Sequence, residues 1–125
     1  MELMTDPYNR RRFKILFTIN YLEKLGCTAN SRLVSRLSGL KIIQVTNAIQ
    51  RMAGGEVIVK NDPLNLHGCC YKYKLSTKGK RILGGYKARY EAGYDLRLRR
   101  KTPIKVDYSD FELLPGLKEN ETTAQ

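Results

Sequence analysis

Thr28–Lys60, TANSRLVSRLSGLKIIQVTNAIQRMAGGEVIVK, is the stretch that decides how this chain folds. Asn30 or Thr28 offers a side-chain cap for a short helix over about 30–38. Its Leu33, Val34 and Leu37 turn inward, with Arg32 and Arg36 outward. Ser38-Gly39 makes a tight turn under which Leu40 tucks, and a second helix follows over about 41–53. There Ile42, Val45, Ile49 and Met52 recur at intervals of three and four and define a buried stripe. Gly54-Gly55 stops that helix, and Val57-Ile58-Val59 reads as a β-branched strand.

Upstream, YNRRRFKILFTINYLEKL at 8–25 predicts a first helix, opened by Asp6-Pro7 and closed by Gly26. Phe13, Leu16, Phe17, Asn20 and Tyr21 keep helical spacing, and Ile15, Ile19 and Leu22 widen the apolar face. Arg10, Arg11 and Arg12 sit at its exposed beginning. Cations there oppose the helix dipole, a small cost that hints at a use such as reaching a phosphate.

Downstream, Cys70–Leu75 alternates as a second strand, giving a hairpin over 57–75 with a long polar tip. Ser76-Thr77 caps a further helix, which Gly84-Gly85 is expected to interrupt or bend. Helical character returns over 86–101, where Tyr86, Tyr90, Tyr94 and Leu98 form a ridge at intervals of four. That ridge needs a partner, either the first helix or a second subunit, and is the candidate dimer interface. Phe111, Leu113 and Leu114 could dock locally, and the last ten residues read as disordered.

Charge points to the partner. The chain has 125 residues and a net charge of +11. From Asp107 to Gln125 five acids face one base, a net −4, so residues 1–106 carry +15. A body that basic favours a polyanion. No run is long and apolar enough for a membrane span, and the N-terminus has no signal-peptide pattern, so an intracellular protein is the expectation. Cys27, Cys69 and Cys70 are expected to be reduced thiols. One histidine, His67, and no CxxC pair give no zinc ligand set. Neither a metal nor another cofactor is expected, and no catalytic constellation can be named, so the chain does not read as an enzyme.

Stepping residues by ~100° along helix 41–53 places Asn47 opposite the buried stripe, flanked by Ile43, Gln44, Gln50 and Arg51, with Lys41 at the near end. This outer face has no acid. Amides can pair with adenine edges, a cation with guanine or phosphate, and an apolar group with a thymine methyl.

The order of these pieces resembles the winged helix-turn-helix family, in the group of MarR-like and PadR-like transcription regulators, over about Phe13 to Leu83. LSGLKIIQVTNAIQRMAGGEVI is similar to the family's turn, recognition helix and glycine corner, and LSTKGKRIL at Leu75–Leu83 to the Leu-Thr-x-x-Gly segment after the wing. The resemblance implies a three-helix core and two-stranded wing (8–83), and with the C-terminal helix (84–102) and the acidic, partly disordered tail (103–125) read from the residues the expected fold is α+β, mainly α. It assigns Leu40–Met52 to the recognition helix and Val57–Leu75 to the wing. Gln44, Asn47 and Arg51 would then face the major groove of double-stranded DNA, with Lys41, Ile43 and Gln50 nearby. Arg32, Arg36, Lys60, Lys72 and Lys74 are the further candidate DNA contacts.

The chain departs from the family pattern in three places. Glu56 stands where a glycine is common, Lys41 where a Ser or Thr cap is usual, and the long helix before the first domain helix is missing. The expected function is a sequence-specific transcriptional regulator in the cytoplasm, nucleoid-associated in a bacterium or archaeon. A homodimer would read half-sites ~34–36 Å apart. The alternative is an architectural module that binds nucleic acid non-specifically or docks on a larger complex through its last helix or tail.

Overall fold

A computed structural model of the chain describes residues 8–27, 29–60, 73–96, 104–109 and 111–117. The elements are α1 (Tyr8–Lys24), α2 (Ser31–Ser38), α3 (Ile42–Gly54), β1 (Ile58–Lys60), β2 (Tyr73–Leu75) and α4 (Thr77–Glu91). The fold is α+β and mainly helical, with one two-stranded antiparallel sheet. No helix among the described residues is long and apolar enough to cross a membrane.

α1 is the hub, because apolar residues lie on most of its circumference. Phe13, Ile15, Leu16, Ile19 and Leu22 are all buried, and α2, α4 and β2 pack around them. Thr18 is buried in the same helix without cost, since its hydroxyl donates to the Lys14 carbonyl at 2.7 Å.

α2 starts where Asn30 Oδ1 accepts from the Leu33 N–H at 2.9 Å. It ends at Gly39, whose φ of 75° is the left-handed cap a glycine tolerates. Ser38 is buried at the turn, and its hydroxyl accepts from the Leu40 N–H at 3.3 Å.

The buried side of α3 is Val45, Ala48, Ile49 and Met52. This corrects one member of the expected stripe: Ile42 is 46% exposed, and Ala48 takes the inward place. Ile42 opens the first turn, beyond the reach of the core, so correct spacing does not bury it.

Beyond α3 the backbone reverses at Gly55-Glu56. Glu56 carries the left-handed φ of 62°, while Gly55 sits at −91°. β1 and β2 pair in the register Ile58↔Leu75, Val59↔Lys74 and Lys60↔Tyr73. Tyr73 N–H also donates to the Ala29 carbonyl at 2.8 Å, so the loop between α1 and α2 adds a bridge to the sheet.

One expectation is overturned downstream. α4 runs unbroken through Gly84-Gly85 and stops at Glu91, rather than resuming over 86–101. Gly93, at φ 80°, closes it, and Tyr94 leaves the helix to bridge Lys105. Tyr94 therefore does not continue the ridge, and Leu98 and the basic run Arg97, Arg99, Arg100 and Lys101 lie outside the described residues.

Of the two partners open to the tyrosine ridge, Tyr86 and Tyr90 take the first helix. Tyr86 is 8% exposed, and Tyr86 and Tyr90 stack on Phe13 of α1 at 5.9 and 5.5 Å between ring centroids. The fold-back onto the first helix is the outcome for these two residues, which leaves Tyr86 buried and Tyr90 half-buried.

Residues 104–109 and 111–117 pack on this core, in keeping with the docking expected of Phe111, Leu113 and Leu114; of the last ten residues only Gly116 and Leu117 are described. Tyr108 and Phe111 join the same aromatic cluster, with Phe111 stacked on Phe13 at 6.2 Å and Tyr108 edge-on to Tyr90 at 4.9 Å. Tyr108 Oη donates to the Tyr94 carbonyl at 2.6 Å and accepts from the Leu96 N–H at 3.0 Å. Gly116 then presses on the backbone of Arg36 and Leu37, and Pro115 on Gly39. The strap thus crosses from α4 to the turn between α2 and α3. Its aromatic and leucine side chains supply the burial that offsets the entropy of ordering.

Candidate nucleic-acid interface

α3 presents its outer face beside the start of α1. Ile43, Asn47, Gln50 and Arg51 are exposed, Ile43 at 64%. With Gln44, Ala48 and Arg11 of α1 they line an open groove of about 620 Å³. None of these side chains is acidic. The buried Val45, Ile49 and Met52 fix the rotation of the helix, so the outward direction of Asn47 follows from the packing.

Lys41 and Gln44 solve a local problem together. Lys41 is the N-cap, and an ammonium has no acceptor for the orphan amides of a first turn. Gln44 Oε1 instead accepts from the Lys41 N–H at 3.2 Å. This is the half of a capping box that glutamine can supply. With one lone pair of its carbonyl so engaged, Gln44 keeps the other and its two amide N–H donors for a ligand.

The remaining sequence-derived candidates are spread more widely. Arg32 and Arg36 are exposed on α2, and Lys74 is exposed on β2. The backbone of Lys60 ends β1, and Lys72 and the hairpin tip, including His67, Cys69 and Cys70, lie outside the described residues. Cys27 is an exposed free thiol. Among the described residues no group of three His, Cys, Asp or Glu is placed to hold a metal.

Residues outside the candidate set also reach the site. Arg11 lines the α3 groove, while Arg12 and Lys78 line an adjoining groove of about 310 Å³ together with Arg51, Met52, Gly55 and Val57. Nor are the three arginines a solvated turn: all are half-buried. Arg10 lies over the rings of Tyr108 and Phe111 at 5.2 and 5.8 Å, and Arg12 Nη1 reaches Tyr86 Oη at 3.5 Å. The signal for Arg11 and Arg12 was present in the sequence as three cations at a helix start with no acid in the first turn. Lys78 carried no such signal, because only the fold brings the start of α4 to the end of α3.

Comparison with protein-family models, with curated proteins and with solved structures returns no match, so the function has to be argued from this geometry.

Proposed function

We propose that the chain is a winged helix-turn-helix protein that binds double-stranded DNA sequence-specifically and regulates transcription, with α3 in the major groove and the β1–β2 hairpin as its wing. The observation that carries this reading is the outer face of α3. It exposes two amides, a guanidinium and an apolar side chain, has no acid, and is held in rotation by a well-buried opposite face. Asn47 and Gln50 offer the paired donor and acceptor that match an adenine edge, Arg51 a fork for guanine, and Ile43 a surface for a thymine methyl. The basic body supplies the sequence-independent part of the affinity.

Of the elements an architectural or docking module would use, Tyr86 and Tyr90 are spent on α1, and Tyr108 and Phe111 on the same cluster. A homodimer reading a palindrome would need another surface.

Selection of bound duplexes from a random pool, followed by titration of selected and random sequences, tests the proposal. Asn47→Ala and Arg51→Ala should each lower the preference for the selected site by roughly 5- to 150-fold, the worth of one bidentate contact. Undiminished preference in both variants would remove α3 as the reading element. A pool that returns no motif would favour the architectural module.

A further inference from the structure

We propose that the groove bounded by Arg12, Arg51 and Lys78 is a clamp for one phosphodiester of the DNA backbone, setting how α3 is seated against the duplex. The proposal rests on the reading of α3 given above and adds a contact that belongs to neither the recognition helix alone nor the wing.

Three cations converge here from the start of α1, the end of α3 and the start of α4, around Met52, Gly55 and Val57 and with no acid in the lining. Arg12 and Lys78, brought beside Arg51, raise the local positive potential that draws an anion. Arg12 is also positioned from within. Its Nη1 lies 3.5 Å from Tyr86 Oη, which in turn donates to Asn9 Oδ1 at 3.0 Å. Its Nε is buried and has no hydrogen-bond partner among the described residues, so that edge of the guanidinium is held inward.

Lys78 is steadied by donating to the Gly55 carbonyl at 3.0 Å, which leaves its ammonium two further donors. Gly55 adds no side chain to this wall, so a phosphate can come close to the backbone. The arginine fork matches the planar pair of oxygens a phosphodiester presents, and the lysine supplies a point charge beside it. Arg51 lines both this groove and the one along α3, so a strand held in the first lies against the reading face of the second.

The experiment titrates the full chain with selected and random duplexes over a series of KCl concentrations. Variants are Arg12→Gln, Lys78→Gln and, as a charge control, Lys24→Gln at the far end of α1. Arg12→Gln and Lys78→Gln should each lower the slope of log K against log salt by about 0.9, the value of one phosphate contact. Each should weaken both duplexes alike, and Lys24→Gln should leave the slope unchanged.

Wild-type slopes in both clamp variants would overturn the proposal, as would an equal fall in Lys24→Gln, which marks diffuse charge. A shift of the Arg12 Nε–H resonance with inorganic phosphate but not with duplex would also overturn it, assigning the groove to a free anion. Lys78 is exposed, so its variant keeps the test decisive should Arg12→Gln fold poorly. The parent reading fails separately. If Asn47→Ala keeps its discrimination while Arg12→Gln still flattens the slope, the clamp stands and α3 does not read sequence. A wild-type chain that binds no duplex removes both.

Discussion

Gly79 shows how one residue can hold an interface together. It lies buried in the first turn of α4, where the helix crosses the strand entry at Val57, and a Cβ placed on it would run into the Val57 carbonyl oxygen. The same first turn is fastened by Ser76, whose hydroxyl accepts from the Gly79 N–H at 3.0 Å and donates to the Glu56 carbonyl at 2.5 Å, while its backbone N–H donates to the Val57 carbonyl at 3.0 Å. Gly79→Ala should therefore destabilise the chain by about 2 kcal/mol, since overpacking outweighs the gain in helix propensity. A urea titration with a lower midpoint and unchanged slope would bear this out. An unchanged midpoint would mean the helix can lift off the strand freely. Glu56 is the complementary case. It holds a left-handed φ that a glycine would take more easily, and the one-place offset from the usual glycine is visible in the sequence as Gly55-Glu56.

At the scale of elements, α4 differs most from its sequence expectation, and the reason is energetic. Gly84 and Gly85 each cost about 1 kcal/mol relative to Ala in a helix interior, which argues for a break. Burial of Leu83 and Tyr86 on either side outweighs that local preference and carries the helix through. Both glycines are exposed, and a Cβ on either would meet nothing within 4 Å. Gly84→Ala and Gly85→Ala should thus each stabilise the chain by about 0.5–1 kcal/mol, raising the melting temperature by a few degrees per substitution in a thermal scan. A fall in either would place a requirement on the glycine that its surroundings do not reveal. α2, α3 and the hairpin strands were legible because caps, turn residues and apolar spacing agree within short windows. The orientation of Asn47 followed from Val45, Ile49 and Met52 in the same way, and Ile42 was misplaced because periodicity does not say where the core ends.

At the scale of the whole molecule, the strap formed by 104–109 and 111–117 ties α1, α4 and the α2–α3 turn together; Phe111, Leu113 and Leu114 marked a docking segment in the sequence, but not what it docks on. Tyr108 and Phe111 are separated from Phe13 by most of the chain, so their shared cluster is a long-range outcome. One hydroxyl gives the strap a titratable latch. Burial pushes the Tyr108 phenol above its usual range, partly offset by the Leu96 N–H and by Arg10 and Arg89. A raised acid dissociation constant means the folded chain holds this proton more tightly than the unfolded one. The associated stability is complete below pH ~10, the ordinary tyrosine value, and is lost as pH rises through the higher folded value. Lys14, whose ammonium lies 5.1 Å from the Phe111 ring centroid, acts in the opposite sense. Burial lowers its pKa, with Glu112 opposing, so the folded chain sheds that proton first and its penalty fades as pH rises toward ~10.5. The two effects overlap in wild type, and Tyr108→Phe separates them. At neutral pH the variant should lose about 1–2 kcal/mol, because the Leu96 amide loses its acceptor and the Tyr94 carbonyl its donor. Above pH ~10 the wild-type and variant stability curves should converge, since the phenolate can no longer donate to Tyr94. Parallel curves from pH 7 to pH ~11 would mean that the hydroxyl does not latch the strap.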